Sequence, residues 1–167
     1  MSTSSIPTLK SALITRLNAT TGISGSVGVS YGYPFPLTDV FAKGENIYVG
    51  NTRPDDPTSG DSPYAGGGQR SASLGALHRE ERYVLEVDVW VAQDGRESQQ
   101  TITERGFTIV GLVETSIRTW TATTPAAYDG AVRWCLVTRV VHEEWISPNG
   151  DTRGVTVHID LACSARI

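Results

Sequence analysis

The chain has 167 residues, 39% hydrophobic and 19% charged, enough for one domain with its own core and too apolar for a disordered chain. No apolar run approaches the ~20 residues of a membrane-spanning helix, and the Ser/Thr-rich start, Met1 to Pro7, lacks the basic head and apolar centre of a signal peptide; the chain is expected to be made and kept in a cytoplasm. A net charge of -4 argues against a general nucleic-acid binder, which carries a basic face, though it leaves room for DNA passing beside the protein.

In chain order, Ser5 stands at the cap position of a first helix, with Pro7 in the first turn, where a missing N–H costs little. Ile6, Leu9, Leu13, Ile14 and Leu17 recur at spacings of three and four, an amphipathic stripe. Gly22 and Gly25 are expected to end it. Val27, Val29 and Tyr31 alternate as a short strand closed by Pro34 and Pro36, and Ile47 to Val49 predicts a second. From Gly50 to Leu77 the composition changes to prolines, clustered aspartates and the run Gly66-Gly67-Gly68. A long loop with no core of its own is expected there, and such loops in compact domains are functional or disordered. A phosphate-binding loop would need Lys-Ser/Thr after the glycines, a strand before them and a helix after, and none is evident.

Beyond the loop, Tyr83, Leu85, Val87, Val89 and Val91 alternate with Arg82, Glu86 and Asp88, which predicts a strand over residues 79–92 with one apolar face. Asp94-Gly95 reads as a turn. A long helix follows from Ser98 to about Trp120, with Ile102, Ile109, Val110, Val113, Ile117 and Trp120 on its buried stripe. A connector containing Pro125 leads to two strands, residues 131–146 and 153–166, joined through Pro148-Asn149-Gly150-Asp151. Asn-Gly is a strong hairpin signal because both residues tolerate positive φ. The register it implies sets Leu136 opposite Cys163, Val140 opposite Ile159 and Trp134 opposite Ala165. Val155, Val157, Ile159 and Leu161 then share a face with Val132, Trp134, Leu136 and Val140. The whole reads as a single α+β domain over residues 1–167, a mainly antiparallel sheet packed with two helices.

That register bears on chemistry. Cys135 would lie opposite Ser164 and point away from Cys163, so no intrachain disulfide is expected and both thiols read as small apolar residues. Two cysteines so far apart do not make a zinc site. His142 would point to the core face and His158 to the polar face, so the two cannot share a metal, and His78 stands alone. Glu80-Glu81 and Glu143-Glu144 are strand neighbours facing opposite ways, unsuited to acid–base work. Glu86 and Asp88 share a face with Arg82, a solvated or subunit-facing stripe. There is no His-Glu-x-x-His pair. No catalytic, metal or cofactor residue is expected.

Sixteen residues of strand measure about 50 Å, whereas a compact domain of this length is roughly 40 Å across. The terminal hairpin therefore spans the domain or projects from it unless bulges fold it back. Val137, Val141 and Trp145 lie on its second face beside Arg133, Arg139 and Glu143, and the end toward Trp145 and Ile146 forms an exposed patch unless another subunit covers it. Arg82, Glu86, Asp88, Arg139, Glu143 and Trp145, with Tyr64 in the loop, are the candidate subunit-interface residues.

With PTLKSALITRLNA at the start, REERYVLEVDVWV followed by TITERGFTIVGLVETSI, and VRWCLVTRVVHEEW before GVTVHIDLAC, the chain resembles the tail terminator, or tail-completion, proteins of long-tailed bacteriophages. The resemblance covers nearly the whole chain and rests on element order and sequence texture; the loop from Asn51 to Leu77 is longer than that pattern needs. It implies a structural virion protein, made in the host cytoplasm and located at the head–tail junction. Six copies would form a ring that caps the tail tube, ends its polymerisation and joins tail to head. The implied partners are other copies, the tail tube protein and a head-completion or connector protein. DNA would cross the lumen without specific binding, and neither membrane, cofactor nor catalytic residue is implied. The alternatives are another neck or head-completion joining subunit and, from a different class, a monomeric ligand-binding domain or small enzyme.

Overall fold

The computed structural model describes residues 4–32, 44–54, 69–71, 79–123 and 131–166. In chain order these form α1 (Ile6–Asn18), β1 (Gly28–Tyr31), β2 (Gly44–Pro54), β3 (Gln69–Ser71), β4 (Arg79–Asp94), α2 (Gln99–Thr123), β5 (Trp134–Ile146) and β6 (Thr152–Arg166). The strands make one sheet in the order β1-β2-β4-β6-β5, with β3 also paired to β4. β1 runs parallel to β2, and every other pairing is antiparallel. The α+β class, the two helices and the long terminal hairpin are as the sequence suggests.

β4 organises the sheet. Along one side it pairs with β6 from Glu80 opposite Arg166 to Asp94 opposite Thr152. Its other side is shared: β2 ends with Pro54 opposite Tyr83, and β3 continues with Gln69 opposite Glu81. The segment expected as a structureless loop therefore contributes the end of one strand and the whole of another, because an edge of β4 would otherwise lack partners for its N–H and C=O groups. Residues 55–68 and 72–78, with Tyr64, the glycine run and His78, lie outside the described residues.

The helices cover one face of this sheet. Period-two alternation sends Tyr83, Leu85, Val87, Val89 and Val91 of β4 and Val155, Val157, Ile159 and Leu161 of β6 into the same layer, all buried. Leu9, Leu13 and Leu17 of α1 and all six expected stripe residues of α2 close over them in one cluster. Each such side chain contributes roughly 1.5–3 kcal/mol of burial. Ile6 and Ile14 are half-buried at its margin, and α1 stops at Asn18, ahead of Gly22 and Gly25. A Cβ at Gly106 would stand 2.8 Å from Val155 Cγ1, so α2 approaches β6 more closely than any other residue there would permit.

The start of α1 is held from a distance. Ser5 makes no side-chain cap of its own helix. Instead the buried Glu81 carboxylate, on β4, accepts the Ser5 N–H and the Ser4 and Ser5 hydroxyls, each at 2.7 Å. A carboxylate facing the exposed N–H groups of a helix start is favoured by their partial positive charge. With the Ser5 proton committed to Glu81, the Tyr83 phenol donates to Ser5 Oγ at 3.1 Å. Burial pushes that phenol well above its ordinary pKa, the Ser5 contact opposing.

The terminal hairpin departs from the expected register midway. From Ile146 opposite Arg153 to Arg139 opposite Asp160 the turn-derived pairing holds, Val140 opposite Ile159 included. A bulge between Val137 and Arg139 then slips the strand by one residue, so Leu136 faces Ala162, Trp134 faces Ser164, and Cys135 faces Cys163. A one-residue slip exchanges the two faces. Cys135 is thus buried beside Cys163 rather than turned away from it, and Trp134 and Leu136, expected in the core, are exposed at 37% and 59%. Val137 packs against the core, apart from Val141 and Trp145. Val140 keeps the helix side yet remains exposed, because β5 ends the sheet.

Candidate interface on the open face of the sheet

The face away from the helices collects the alternate residues. From β4 come Arg82, Val84, Glu86, Asp88, Trp90 and Ala92; from β6, Thr156, His158, Asp160 and Ala162; from β5, Arg139, Val141, Glu143 and Trp145. Every expected interface residue except Tyr64 lies on this one face. The bulge adds Trp134 and Leu136 to it, next to the small side chain of Ala162. Unbroken alternation places those two in the core, and nothing in the hairpin sequence marks the slip.

Charge on this face is arranged in cross-strand pairs. Asp88 is opposite His158, Glu86 opposite Asp160, and Arg139 opposite Asp160. Asp88 is 2% exposed, and its Oδ1 lies 2.7 Å from His158 Nδ1. A carboxyl group this deep needs a hydrogen-bond partner, since burying a polar group without one costs several kcal/mol. Glu86 approaches the same nitrogen at 3.7 Å. One ligand atom from each of Glu86, Asp88 and His158 can be chosen with all three within 4.8 Å. A mixed N and O set of this kind can hold a proton or a cation between its members. The chain order hides it, because β4 and β6 are joined by no short turn that would fix their register. His142 lies on the other face, its ring 5.4 Å edge-on from Phe107 of α2; the two histidines are apart, as expected.

The aromatic part of the face is built around Trp145. Its ring centroid is 4.6 Å from that of Trp90, its Nε1–H donates to Thr156 Oγ1 at 3.2 Å, and its ring rests on the backbone of Gly154. A Cβ at Gly154 would overlap that ring. Trp145 is therefore half-buried and preset, with part of one side open. Beyond it Ile146 is 56% exposed at the end of β5.

Other polar groups of the described residues are engaged structurally. Arg105 of α2 holds Glu45 of β2 through two hydrogen bonds of 2.7 and 2.6 Å, which raises the guanidinium pKa. Glu144 accepts from Thr103 on the helix side, while Glu143 faces the other way, as strand neighbours must. A cleft of about 230 Å³ between α1 and α2 is lined by Arg16 and by Thr20, Thr115, Ser116 and Thr119. Hydroxyls and one guanidinium offer binding groups but no general base at neutral pH. Neither described helix is long and apolar enough to cross a membrane.

No family model matches the sequence, and no curated protein sequence matches it. In structure the chain is similar to a chain from the virion of a native gene transfer agent particle, with a TM-score of 0.52 at 12% identity. The likeness takes in 98% of this chain and 100% of that one. At that identity the two share a fold, and the fold is one that a virion uses.

Proposed function

We propose that this chain is a structural virion protein whose copies, six to a ring, cap the tail tube, end its polymerisation and join the tail to the head. The observation that carries the reading is the end-to-end likeness to a virion chain, which adds to the element order and sequence texture of the tail terminators. The open face fits the role. It mixes preset aromatics, exposed Leu136 and Trp134, and charges of both signs, the composition of a subunit contact with a polar surround. Contacts that pair this face with a different surface of the next copy are heterologous, and they close into a ring when the rotation from copy to copy closes on itself. The work done is binding energy spread over interfaces, with no turnover step. Other copies, the tube protein and a head-completion protein are the partners, and DNA crosses the lumen unread past subunits that are each acidic overall, at a net charge of -4.

Deleting the gene tests this. Full heads, together with tails of uncontrolled length that fail to attach, are the expected products. Tails of normal length that cannot attach would favour a joining subunit of the neck instead. Normal tails that still join to heads would overturn both.

A further inference from the structure

We infer that Cys135 and Cys163 are a dithiol that a two-electron oxidant converts to an intrachain disulfide, clamping the edge strand β5 to β6. The chemistry is independent of the proposed function. The two residues are direct cross-strand partners, their Sγ atoms are 3.4 Å apart, and both are buried and reduced. Directly opposed residues of an antiparallel pair have Cα atoms about 4.5–5.5 Å apart, inside the range of about 4.4–6.8 Å that disulfides use. Closing the sulfurs to a bond of about 2.0 Å is thus a matter of side-chain torsion, with the backbone already in place. The pairing exists only because of the bulge between Val137 and Arg139. An unbroken register would put Cys135 beside Ser164.

One further observation favours reaction over inertness. β5 is the last strand of the sheet, so local opening of that edge exposes Cys135 without dismantling the β4–β6 pairing. With diamide as oxidant the step balances. One thiolate adds to the azo nitrogen, the second attacks the resulting S–N sulfur, and the hydrazine leaves. Two S–H bonds are lost, one S–S and two N–H bonds form, and the azo group takes both electrons. In a reducing cytoplasm the dithiol persists; outside the cell the disulfide does.

The test uses the full chain, reduced, then incubated with diamide under native conditions, unfolded in acid and alkylated. Intact mass and non-reducing peptide mapping then count the thiols. The reduced protein should take up an alkyl group at both cysteines. The oxidised monomer should take up none, should yield one peptide bridging Cys135 and Cys163, and should recover both thiols with dithiothreitol. Its unfolding in urea should be about tenfold slower or more. Cys135→Ala should leave Cys163 alkylatable throughout. Two thiols still alkylatable after diamide, disulfide-linked dimers in place of the bridged monomer, or equal unfolding rates before and after oxidation would overturn the inference.

Discussion

The two faces of the sheet are stabilised in different ways. Beneath the helices, Leu85, Val87, Val89, Val157 and Ile159 are wholly excluded from solvent, and both helices contribute to the same apolar layer. On the open face the buried groups include two carboxylates and a hydroxyl, those of Asp88, Asp160 and Thr156, and the large apolar side chains Trp90, Trp134, Leu136 and Trp145 keep part of their surface in water. The first face needs nothing from outside. The second is satisfied by pairwise contacts, each worth little alone, and holds apolar surface in reserve. Apolar surface of that kind offers a partner something to bury.

Disturbing the covered face should cost most. Val113→Asp puts a charge where α2 meets the sheet, at a side chain with no exposure. An unpaired charge there costs several kcal/mol, and the variant should show no cooperative urea transition by circular dichroism. The same face should fail at high pH. Burial raises the Tyr83 phenol above its ordinary value of 10.0, so the folded state keeps a proton that the unfolded state loses. Its contribution to stability is intact below pH 10 and falls as pH climbs past it. Urea midpoints measured upward from pH 9 should drop, and Tyr83→Phe should flatten that drop.

Changes on the open face should be milder and should show in assembly before they show in folding. Trp145→Ala removes the ring stacked on Trp90, at about 1 kcal/mol of fold stability, and should weaken contacts between copies by about 2 kcal/mol. Sedimentation or mass photometry of assembled rings measures the second, thermal melting the first. His158→Gln should be smaller still. It keeps a donor near Asp88 but loses the 2.7 Å geometry, so a loss of about 1 kcal/mol is expected. His142→Gln, exposed on the helix side, should lie within error of the parent.

What the sequence made legible was whatever local periodicity or turn chemistry determines. The stripe of α2 reads off spacings of three and four, the inner row of β4 off strict alternation, and the hairpin register from Arg139 to Ile146 off Asn149-Gly150. The bulge after Val137 leaves no trace in composition. Thr138 is an ordinary strand residue, and at the slip its hydroxyl donates to the Asp160 carbonyl at 3.2 Å. That one irregularity moved Trp134 and Leu136 from core to surface and brought Cys135 to Cys163. The Glu81 contacts to Ser4 and Ser5 and the Asp88–His158 pair span more than seventy positions or join strands with no short connection. Neither is encoded by any local pattern. β3 is three residues long, below what alternation can reveal.

The central claim is that the open face is where copies of this chain meet. A reconstruction of the particle at side-chain detail tests it most directly. Six copies in a ring at the head–tail junction are expected, with Arg82, Glu86, Arg139, Glu143 and Trp145 covered by neighbouring copies. A single copy, or a ring whose members touch only through their helices while the open face stays in solvent, would contradict it.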